Sequence, residues 1–164
     1  MNGDILSGEE VTAALVELGA THVVWLPDSA LGPWERAFEA APSLRLVRVT
    51  REGEAWAIAA GLHLGGARPV VMIQNTGLFE SGDALRNVLF DLRLPLSAVI
   101  GYRSYLLANS TDTAKAFTEP ILKAWGLDYL LLEAPGGGPR LLEHLRACRG
   151  AGRPGIVLVA EGRM

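Results

Sequence analysis

One carboxylate in the sequence stands in an unusual setting. Glu52 opens a segment that runs to Gly61 and carries no polar side chain after Glu54. A helix of this composition is expected to pack deep against a sheet or another subunit, which would put Glu52 at the edge of a buried cleft. A carboxylate there can accept a strong hydrogen bond or hold a proton. Its position also fits a simpler role, because an acid in the first helical turn complements the helix dipole by ~0.3–1 kcal/mol.

Other polar groups follow apolar runs of the chain. Asp28 and Ser29 come after a run that starts at His22. Further along, the triplet Asn75-Thr76-Gly77 and then Arg103 follow two more such runs. Each group also has a purely structural interpretation, as a helix cap, a turn or a solvated surface residue. Spacing alone leaves both interpretations open.

Alternating strands and helices must position these groups. Apolar runs predict six strands, over residues 22–26, 44–50, 69–74, 96–101, 129–132 and 156–160. The first helix is predicted from a capping box at Ser7 to Gly19, and further helices over 31–40, 52–65, 80–92, 118–125 and 139–148. This alternation predicts an α/β fold, a three-layer αβα arrangement with a six-stranded, mostly parallel sheet. Ligands of such sheets bind beyond the carboxyl ends of the strands, where the polar groups above are expected.

Composition narrows the class of protein. The 164 residues fit one domain, 1–164, with 49% hydrophobic residues and a formal net charge of -3. No run of Lys and Arg is present, so we expect neither a nucleic-acid nor a membrane surface. Cys148 is the only cysteine, and Asp4, Glu9 and Glu10 lie where a signal peptide would be basic and then apolar. We therefore expect a cytoplasmic protein.

Motifs of several common enzyme classes are absent. The only Gly-rich stretch after a predicted strand is Gly136-Gly137-Gly138, and Leu141 stands where a dinucleotide fingerprint needs its third glycine. There is no phosphate-binding P-loop, no HExxH and no GxSxG, and the three histidines lack metal-ligand spacing. Glu52 therefore becomes the leading candidate for chemistry.

The segment around Glu52 resembles a known signature. In the pyrimidine-binding domains of thiamine diphosphate enzymes, a Glu stands nine residues before a helix glycine, and Glu52 and Gly61 have that separation. The resemblance is to sulfopyruvate and phosphonopyruvate decarboxylases and extends over nearly the whole chain. The other segments that carry it are Leu26-Pro-Asp-Ser29, Met72-Ile-Gln-Asn-Thr-Gly77 and Thr118-Glu-Pro-Ile-Leu122.

This resemblance implies a thiamine diphosphate-binding fold and a role for each candidate residue. Glu52 would be catalytic, because the glutamate of the family hydrogen-bonds the cofactor's pyrimidine ring and favours its reactive tautomer. The residues expected to bind the cofactor are Glu52, Asn75, Thr76 and Gly77. The residues expected to bind the substrate are Asp28, Ser29 and Arg103. Arg103, together with Lys115, is suited to bind an anionic group.

The resemblance also implies a partner. Family members hold Mg²⁺ and the diphosphate with a second domain that carries a Gly-Asp-Gly motif and a distant Asn. Gly82-Asp83 is the nearest match, but Ala84 follows it and it lies within a predicted helix. We therefore expect a beta subunit to supply the Mg²⁺ ligands, in a hetero-oligomer such as α2β2 or larger.

The expected activity is decarboxylation of a small anionic 2-oxo acid to an aldehyde and carbon dioxide. Two alternatives stay open. The subunit could belong to a carboligase similar to acetolactate synthase, in which the cofactor-bound intermediate reacts with a second carbonyl compound. It could also be a non-catalytic α/β domain that binds a ligand or a partner.

Overall fold

A six-stranded sheet forms the centre of the protein. The structure is a computed structural model and describes residues 5–28 and 31–162. The strands are β1 (His22–Trp25), β2 (Arg45–Arg48), β3 (Pro69–Gln74), β4 (Ser97–Tyr102), β5 (Tyr129–Leu132) and β6 (Gly155–Ala160). Their order across the sheet is β2-β1-β3-β4-β6-β5, and all neighbouring strands are parallel. The six predicted strands are confirmed, and no end differs from its prediction by more than two residues.

Burial follows the position of each strand in the sheet. Every residue of β3, β4 and β6 is buried, as expected for central strands that are covered on both faces. The edge strands β2 and β5 are only partly buried. Long, uninterrupted apolar runs therefore identified the central strands correctly.

Helices cover both faces of the sheet. They are α1 (Gly8–Leu18), α2 (Glu35–Glu39), α3 (Glu52–Leu64), α4 (Asn75–Glu80), α5 (Gly82–Arg86), α6 (Thr113–Ala124) and α7 (Gly138–Gly150). The apolar residues of α1, α2 and α7 form the core on one face, and those of α3, α5 and α6 form the core on the other. This arrangement confirms the three-layer α/β prediction. Within residues 5–28 and 31–162, no helix is long and apolar enough to cross a membrane.

The main departure from the predicted elements lies directly after β3. We expected a turn at Asn75-Thr76-Gly77 and a helix over 80–92, but α4 begins at Asn75 itself. A π-helical turn, Asn87–Asp91, then follows α5. Gln74 precedes α4 with extended backbone and gives no side-chain cap, so the sequence carries no start signal. The predicted turn residues are therefore the first turn of a helix.

Helix α6 also begins earlier than predicted. The irregular stretch expected up to Lys115 ends at Asp112, and α6 starts at Thr113 instead of Thr118. Asp112 is the cap, because its Oδ1 accepts a hydrogen bond of 3.0 Å from the backbone N–H of Ala114. The cap places Asp112 and the start of α6 next to the end of β4.

The strand order reverses at β1 and β3. From β1 the chain continues to β2 on one side, whereas from β3 it continues to β4 on the other. Open parallel sheets bind ligands beyond the carboxyl ends of the strands at such a point. Glu52 starts the helix that follows β2, and Asn75 starts the helix that follows β3. The fold thus brings these two helix starts to the same edge.

Candidate active site

Helix α3 is held firmly where Glu52 begins it. Arg51 is its N-cap residue, with extended backbone, and Glu52 is its first helical residue. One turn later, Trp56 is fully buried, and its Nε1 donates a hydrogen bond of 3.0 Å to Oγ of the buried Ser81. This bond joins α3 to the junction between α4 and α5. The backbone that carries Glu52 therefore has little freedom to move.

Two other carboxylates satisfy the backbone donors at the start of α3. Oε2 of Glu54 accepts hydrogen bonds from the backbone N–H groups of Thr50 and Arg51, at 3.0 and 3.2 Å, and from the Thr50 hydroxyl at 2.9 Å. Oε2 of Glu80 accepts the N–H of Gly53 at 2.9 Å. The Thr50 donors hold the pKa of Glu54 below its usual range, and the Arg51 side chain does the same for the pKa of Glu80. Capping of α3 is thus carried by Glu54 and Glu80.

The carboxylate of Glu52 is left open by this arrangement. Among the residues that the structure describes, it makes no hydrogen bond and no ion pair, although the residue is partly buried. An acid whose only role was to cap the helix would be expected to take the backbone donors that Glu54 and Glu80 take. The Glu52 carboxylate is therefore available to a ligand, and it can complement the helix dipole from the same position.

Gly77 leaves the space that the Glu52 side chain occupies. A Cβ atom at position 77 would lie 2.7 Å from Oε1 and 2.8 Å from Cδ of Glu52, and closer still to its Cγ. Such separations are well below van der Waals contact, so any side chain here would displace the carboxylate. Two of the residues predicted for the cofactor, Glu52 and Gly77, are therefore in direct contact.

Asn75 lies beneath this surface rather than on it. Its side chain is fully buried, and its Nδ2 donates a hydrogen bond of 3.0 Å to Oγ1 of Thr118. The Thr118 hydroxyl in turn donates to the Ala114 carbonyl oxygen at 2.6 Å, so α4 is tied to α6. Oδ1 of Asn75 has no partner within the described part of the chain. A buried acceptor left in this way costs ~1–3 kcal/mol until a donor reaches it.

Arg103 and Asp112 form a closed ion pair. The guanidinium donates from Nε and Nη2 to the two carboxylate oxygens of Asp112, at 2.9 and 3.1 Å. Ser104 adds a hydroxyl hydrogen bond of 2.9 Å to the same carboxylate. The Arg103 hydrogen bonds lower the pKa of Asp112 to about 2, and the carboxylate raises the pKa of Arg103. Arg103 is thus oriented by a partly buried pair.

A groove between α4 and α6 brings Arg103 near the cofactor candidates. Its volume is about 700 Å³, and Thr76 and Arg103 both line it. The remaining lining residues come from the same two helices and the loop before α6; they are Phe79, Asp112, Thr113, Ala114, Phe117, Pro120 and Ile121. Because Gly77 touches Glu52 and Thr76 faces the groove, α4 connects the open carboxylate with the paired guanidinium.

The two other substrate candidates are less well placed for contact. Oδ1 of Asp28 accepts the N–H of Leu31 at 2.8 Å, so this carboxylate is at least partly used by the chain just before the short helical turn Gly32–Trp34. Ser29 lies outside the described residues. Lys115, named with Arg103, donates to the Leu107 carbonyl oxygen at 2.7 Å and holds the loop that precedes α6. In the described chain, no cluster of three or more His, Cys, Asp or Glu side chains is able to hold a metal ion.

Sequence reasoning missed several residues that shape this site. Glu80 and Ser81 act on α3 from 27 and 25 residues away in the chain, so no local pattern marks them. Thr118 stood at the start of a segment that carried the family resemblance, but its hydrogen bond to Asn75 depends on how α6 packs. Asp112 is the residue directly before α6, and an Asp in that position is a helix-start signal that the sequence offered.

Comparison with known proteins identifies relatives of the chain. No family model matches it. Over 99 residues it is 34% identical to a phosphonopyruvate decarboxylase of Streptomyces viridochromogenes, which covers 60% of this chain and 25% of that protein. Over 137 residues it is 29% identical to the sulfopyruvate decarboxylase subunit alpha of Methanothermobacter thermautotrophicus, covering 82% of this chain and 78% of that subunit. The family resemblance predicted from the sequence is thus confirmed.

A solved structure shows the same fold. The benzoylformate decarboxylase from Polynucleobacter necessarius superposes with a TM-score of 0.73 over 96% of this chain, at 19% identity. The matched part is 29% of that longer protein. The chain likewise spans about a quarter of the length of the phosphonopyruvate decarboxylases that it matches. It therefore corresponds to one portion of these larger enzymes.

Proposed function

We propose that this chain is the pyrimidine-binding alpha subunit of a two-chain, thiamine diphosphate-dependent decarboxylase. Its substrate would be a small anionic 2-oxo acid similar to sulfopyruvate or phosphonopyruvate, and its products an aldehyde and carbon dioxide. The observation that carries the proposal is the open carboxylate of Glu52, set against the bare Cα of Gly77 at the reversal point of the sheet. The named activities of the relatives support the choice of reaction.

The residues around Glu52 fit the cofactor's pyrimidine ring. A carboxylate that makes no hydrogen bond within the described chain can accept one from a ring nitrogen, and such a bond is stronger in a site shielded from water. Gly77 gives the Glu52 side chain the room to stand there, because a Cβ at this position would overlap its carboxylate. When bound, thiamine diphosphate supplies the nucleophilic carbon and the electron sink for decarboxylation. Glu52 would hold the ring and control its protonation.

Helix α4 contributes the other residues of the proposed cofactor surface. Thr76 donates its hydroxyl to Oε1 of Gln74 at 3.0 Å and lines the groove, so its oxygen can still accept a hydrogen bond. Asn75 supports this surface from below through its bond to Thr118. We propose that Asn75 contributes to cofactor binding by fixing α4, with Oδ1 available to a donor that reaches it.

Arg103 is the proposed contact for the anionic end of the substrate. A guanidinium has five N–H donors, and two of them are used by Asp112. The others remain for a carboxylate, sulfonate or phosphonate in the groove, and the ion pair fixes their direction. Asp28 remains a proposed substrate contact, as does Ser29, which lies outside the described residues.

The outward face of α3 supports the need for a partner chain. Ile58 is 38% exposed and Leu64 is 70% exposed, so this face of the helix is apolar but uncovered. An added Cβ at Gly61 would meet no atom within 4 Å. A glycine in a helix costs ~1 kcal/mol relative to Ala, and close approach of another chain would account for it. The proposed beta subunit would bring the Mg²⁺ ligands, in a hetero-oligomer such as α2β2 that works in the cytoplasm.

Affinity purification of the tagged chain from its host is the first test. We expect a second chain with a Gly-Asp-Gly motif to co-purify and the complex to release carbon dioxide from sulfopyruvate or phosphonopyruvate. Glu52→Gln should lower the rate by about 10²–10⁴-fold, because the amide cannot take up the proton. Thiamine diphosphate binding should weaken in the same variant.

Glu54→Gln is the matched control. It makes the same change two residues away, where the amide oxygen of Gln can still accept the backbone hydrogen bonds that cap the helix. The assembled Glu54→Gln enzyme should keep its rate within a few-fold. Equal losses in both variants, or a complex that binds no thiamine diphosphate, would refute the proposal for Glu52. Product analysis separates an aldehyde from a ligation product.

A further inference from the structure

Glu80 binds two groups at the start of α3 at once. Its Oε1 accepts hydrogen bonds from Nη2 and Nε of Arg51, at 2.6 and 3.1 Å. Its Oε2 accepts the N–H of Gly53 at 2.9 Å. Glu80 is the last residue of α4, the helix that also carries Gly77 against Glu52. One carboxylate therefore fixes both the backbone and the only cation beside Glu52 in the sequence.

Arg51 would otherwise have Glu52 as its available partner. Its side chain is 73% exposed, so packing does not hold it, and the pair with Glu80 is the only ion pair it makes among the described residues. Oε2 of Glu54 already accepts three hydrogen bonds, whereas the Glu52 carboxylate accepts none from the described chain. The hydrogen bond to Glu80 is the main cause that raises the pKa of Arg51, and Glu54 and then Glu52 raise it further, so the guanidinium lies within the field of both neighbours.

We propose that Glu80 is a positioning residue for Glu52, because it keeps the Arg51 guanidinium away from the Glu52 carboxylate. An Arg51–Glu52 pair would occupy the oxygens that a ligand must reach and would weaken the carboxylate as a proton acceptor. The ion pair between α3 and α4 thus protects an open carboxylate instead of merely adding stability. This inference rests on the proposed function of Glu52.

The kinetic test uses the assembled enzyme and three variants: Glu80→Gln, Arg51→Gln and the double variant. The amide oxygen introduced by Glu80→Gln can still accept the Gly53 N–H, but the amide releases Arg51. We therefore expect kcat/KM to fall about tenfold and the thiamine diphosphate concentration for half-saturation to rise. Removing Arg51 as well should restore kcat/KM to within about twofold of wild type. A helix cap that acted only on stability would give no such rescue.

Glu17→Gln is the matched control for the kinetic test. It removes an exposed pair with Arg146, at 3.1 Å, on the opposite face of the sheet and should leave kcat/KM unchanged. Thermal unfolding of every variant confirms that each is folded. If the double variant is as slow as Glu80→Gln, the protective role of Glu80 is refuted.

A crystal structure of the Glu80→Gln chain tests the same inference without any activity. We expect the Arg51 guanidinium within about 4 Å of the Glu52 carboxylate, the limit for an ion pair. An Arg51 side chain turned to solvent would overturn the inference. A wild-type complex that decarboxylates no 2-oxo acid would instead overturn the proposed function, and this structure would still decide where Arg51 goes.

Discussion

Glu52 and Arg103 lie on either side of α4, and they differ in whether the chain provides a partner for the charged group. The Glu52 carboxylate faces a glycine and has no partner in the described residues, because Glu54 and Glu80 take the nearby donors. The Arg103 guanidinium is held by two hydrogen bonds to Asp112. The first group is free to bind and to exchange a proton, whereas the second is fixed in direction and keeps its charge.

Under the proposed function, this difference corresponds to two kinds of work. Proton transfer needs a group whose hydrogen-bonding positions are unoccupied and whose position is held by the backbone. Recognition of an anion needs a charge whose orientation is set in advance, so that little freedom is lost on binding. The α3–α4 contact meets the first need, and the Arg103–Asp112 pair meets the second.

Gly77→Ala should displace the open carboxylate of Glu52 and give the largest effect. The new Cβ would overlap the Glu52 side chain, which can turn away more easily than the backbone can move. A displacement of about 1 Å at a catalytic group can cost about 100-fold in rate, so we expect a fall in kcat of that order with a small change in Tm. The measurement is kcat of the assembled enzyme beside a thermal unfolding curve.

Gly53→Ala is the control for that substitution. A Cβ at Gly53 would meet Oε2 of Glu80 at 3.6 Å and Cβ of Ala84 at 3.7 Å, which is ordinary contact. Its kcat should stay close to wild type. A Gly77→Ala enzyme with normal kcat would show that the position of the Glu52 carboxylate does not matter to the reaction.

Arg103→Ala should remove the Arg103–Asp112 ion pair and give a smaller effect. Loss of the guanidinium should raise KM for an anionic 2-oxo acid about tenfold, far more than it weakens thiamine diphosphate binding, because Glu52 and Gly77, which we propose to hold the cofactor, lie on the other side of α4. Asp112→Asn should raise KM in the same direction but less, since it frees the guanidinium to rotate. Steady-state kinetics of both variants provide the measurement.

The two variants also separate orientation from competition. If Asp112 competes with the substrate for Arg103, Asp112→Asn lowers KM instead of raising it. An unchanged KM in Arg103→Ala would remove Arg103 from the substrate site and leave the pair as a structural feature of the loop before α6.

The fold and the unusual setting of Glu52 could be predicted in large part from the sequence. Buried strands such as β3 are continuous apolar runs, and Glu52 stood out because no polar side chain follows Glu54 up to Gly61. Both predictions depend mainly on which residues are buried, and a local pattern of apolar residues indicates burial. The family resemblance implied that Glu52 and Gly77 belong to one site, but their direct contact was not predicted.

The Arg103–Asp112 pair could not be predicted in the same way. Arg103 was identified as a candidate, but its partner lies nine residues away in a stretch expected to be irregular. Pairing of this kind depends on the exact path of a loop, which composition does not specify. The start of α4 at Asn75 was missed for a related reason, since Gln74 provides no capping signal.

Protonation of Asp112 by acid should give the smallest effect, a change in the stability that the Arg103–Asp112 pair contributes. The pKa of Asp112 is about 2 in the folded chain, below its ordinary value of 3.8, so the unfolded chain binds the proton first. The pair's contribution to stability is therefore complete above about pH 4 and is lost as the pH falls toward 2. At full strength we expect about 1–2 kcal/mol, allowing for partial exposure of both side chains. Urea unfolding of wild type and Asp112→Asn should show this difference at about pH 6 and a smaller one at about pH 2.5. A difference that stays constant over that interval would mean that Asp112 keeps its ordinary affinity for the proton, and the pair would then be too weak to orient Arg103.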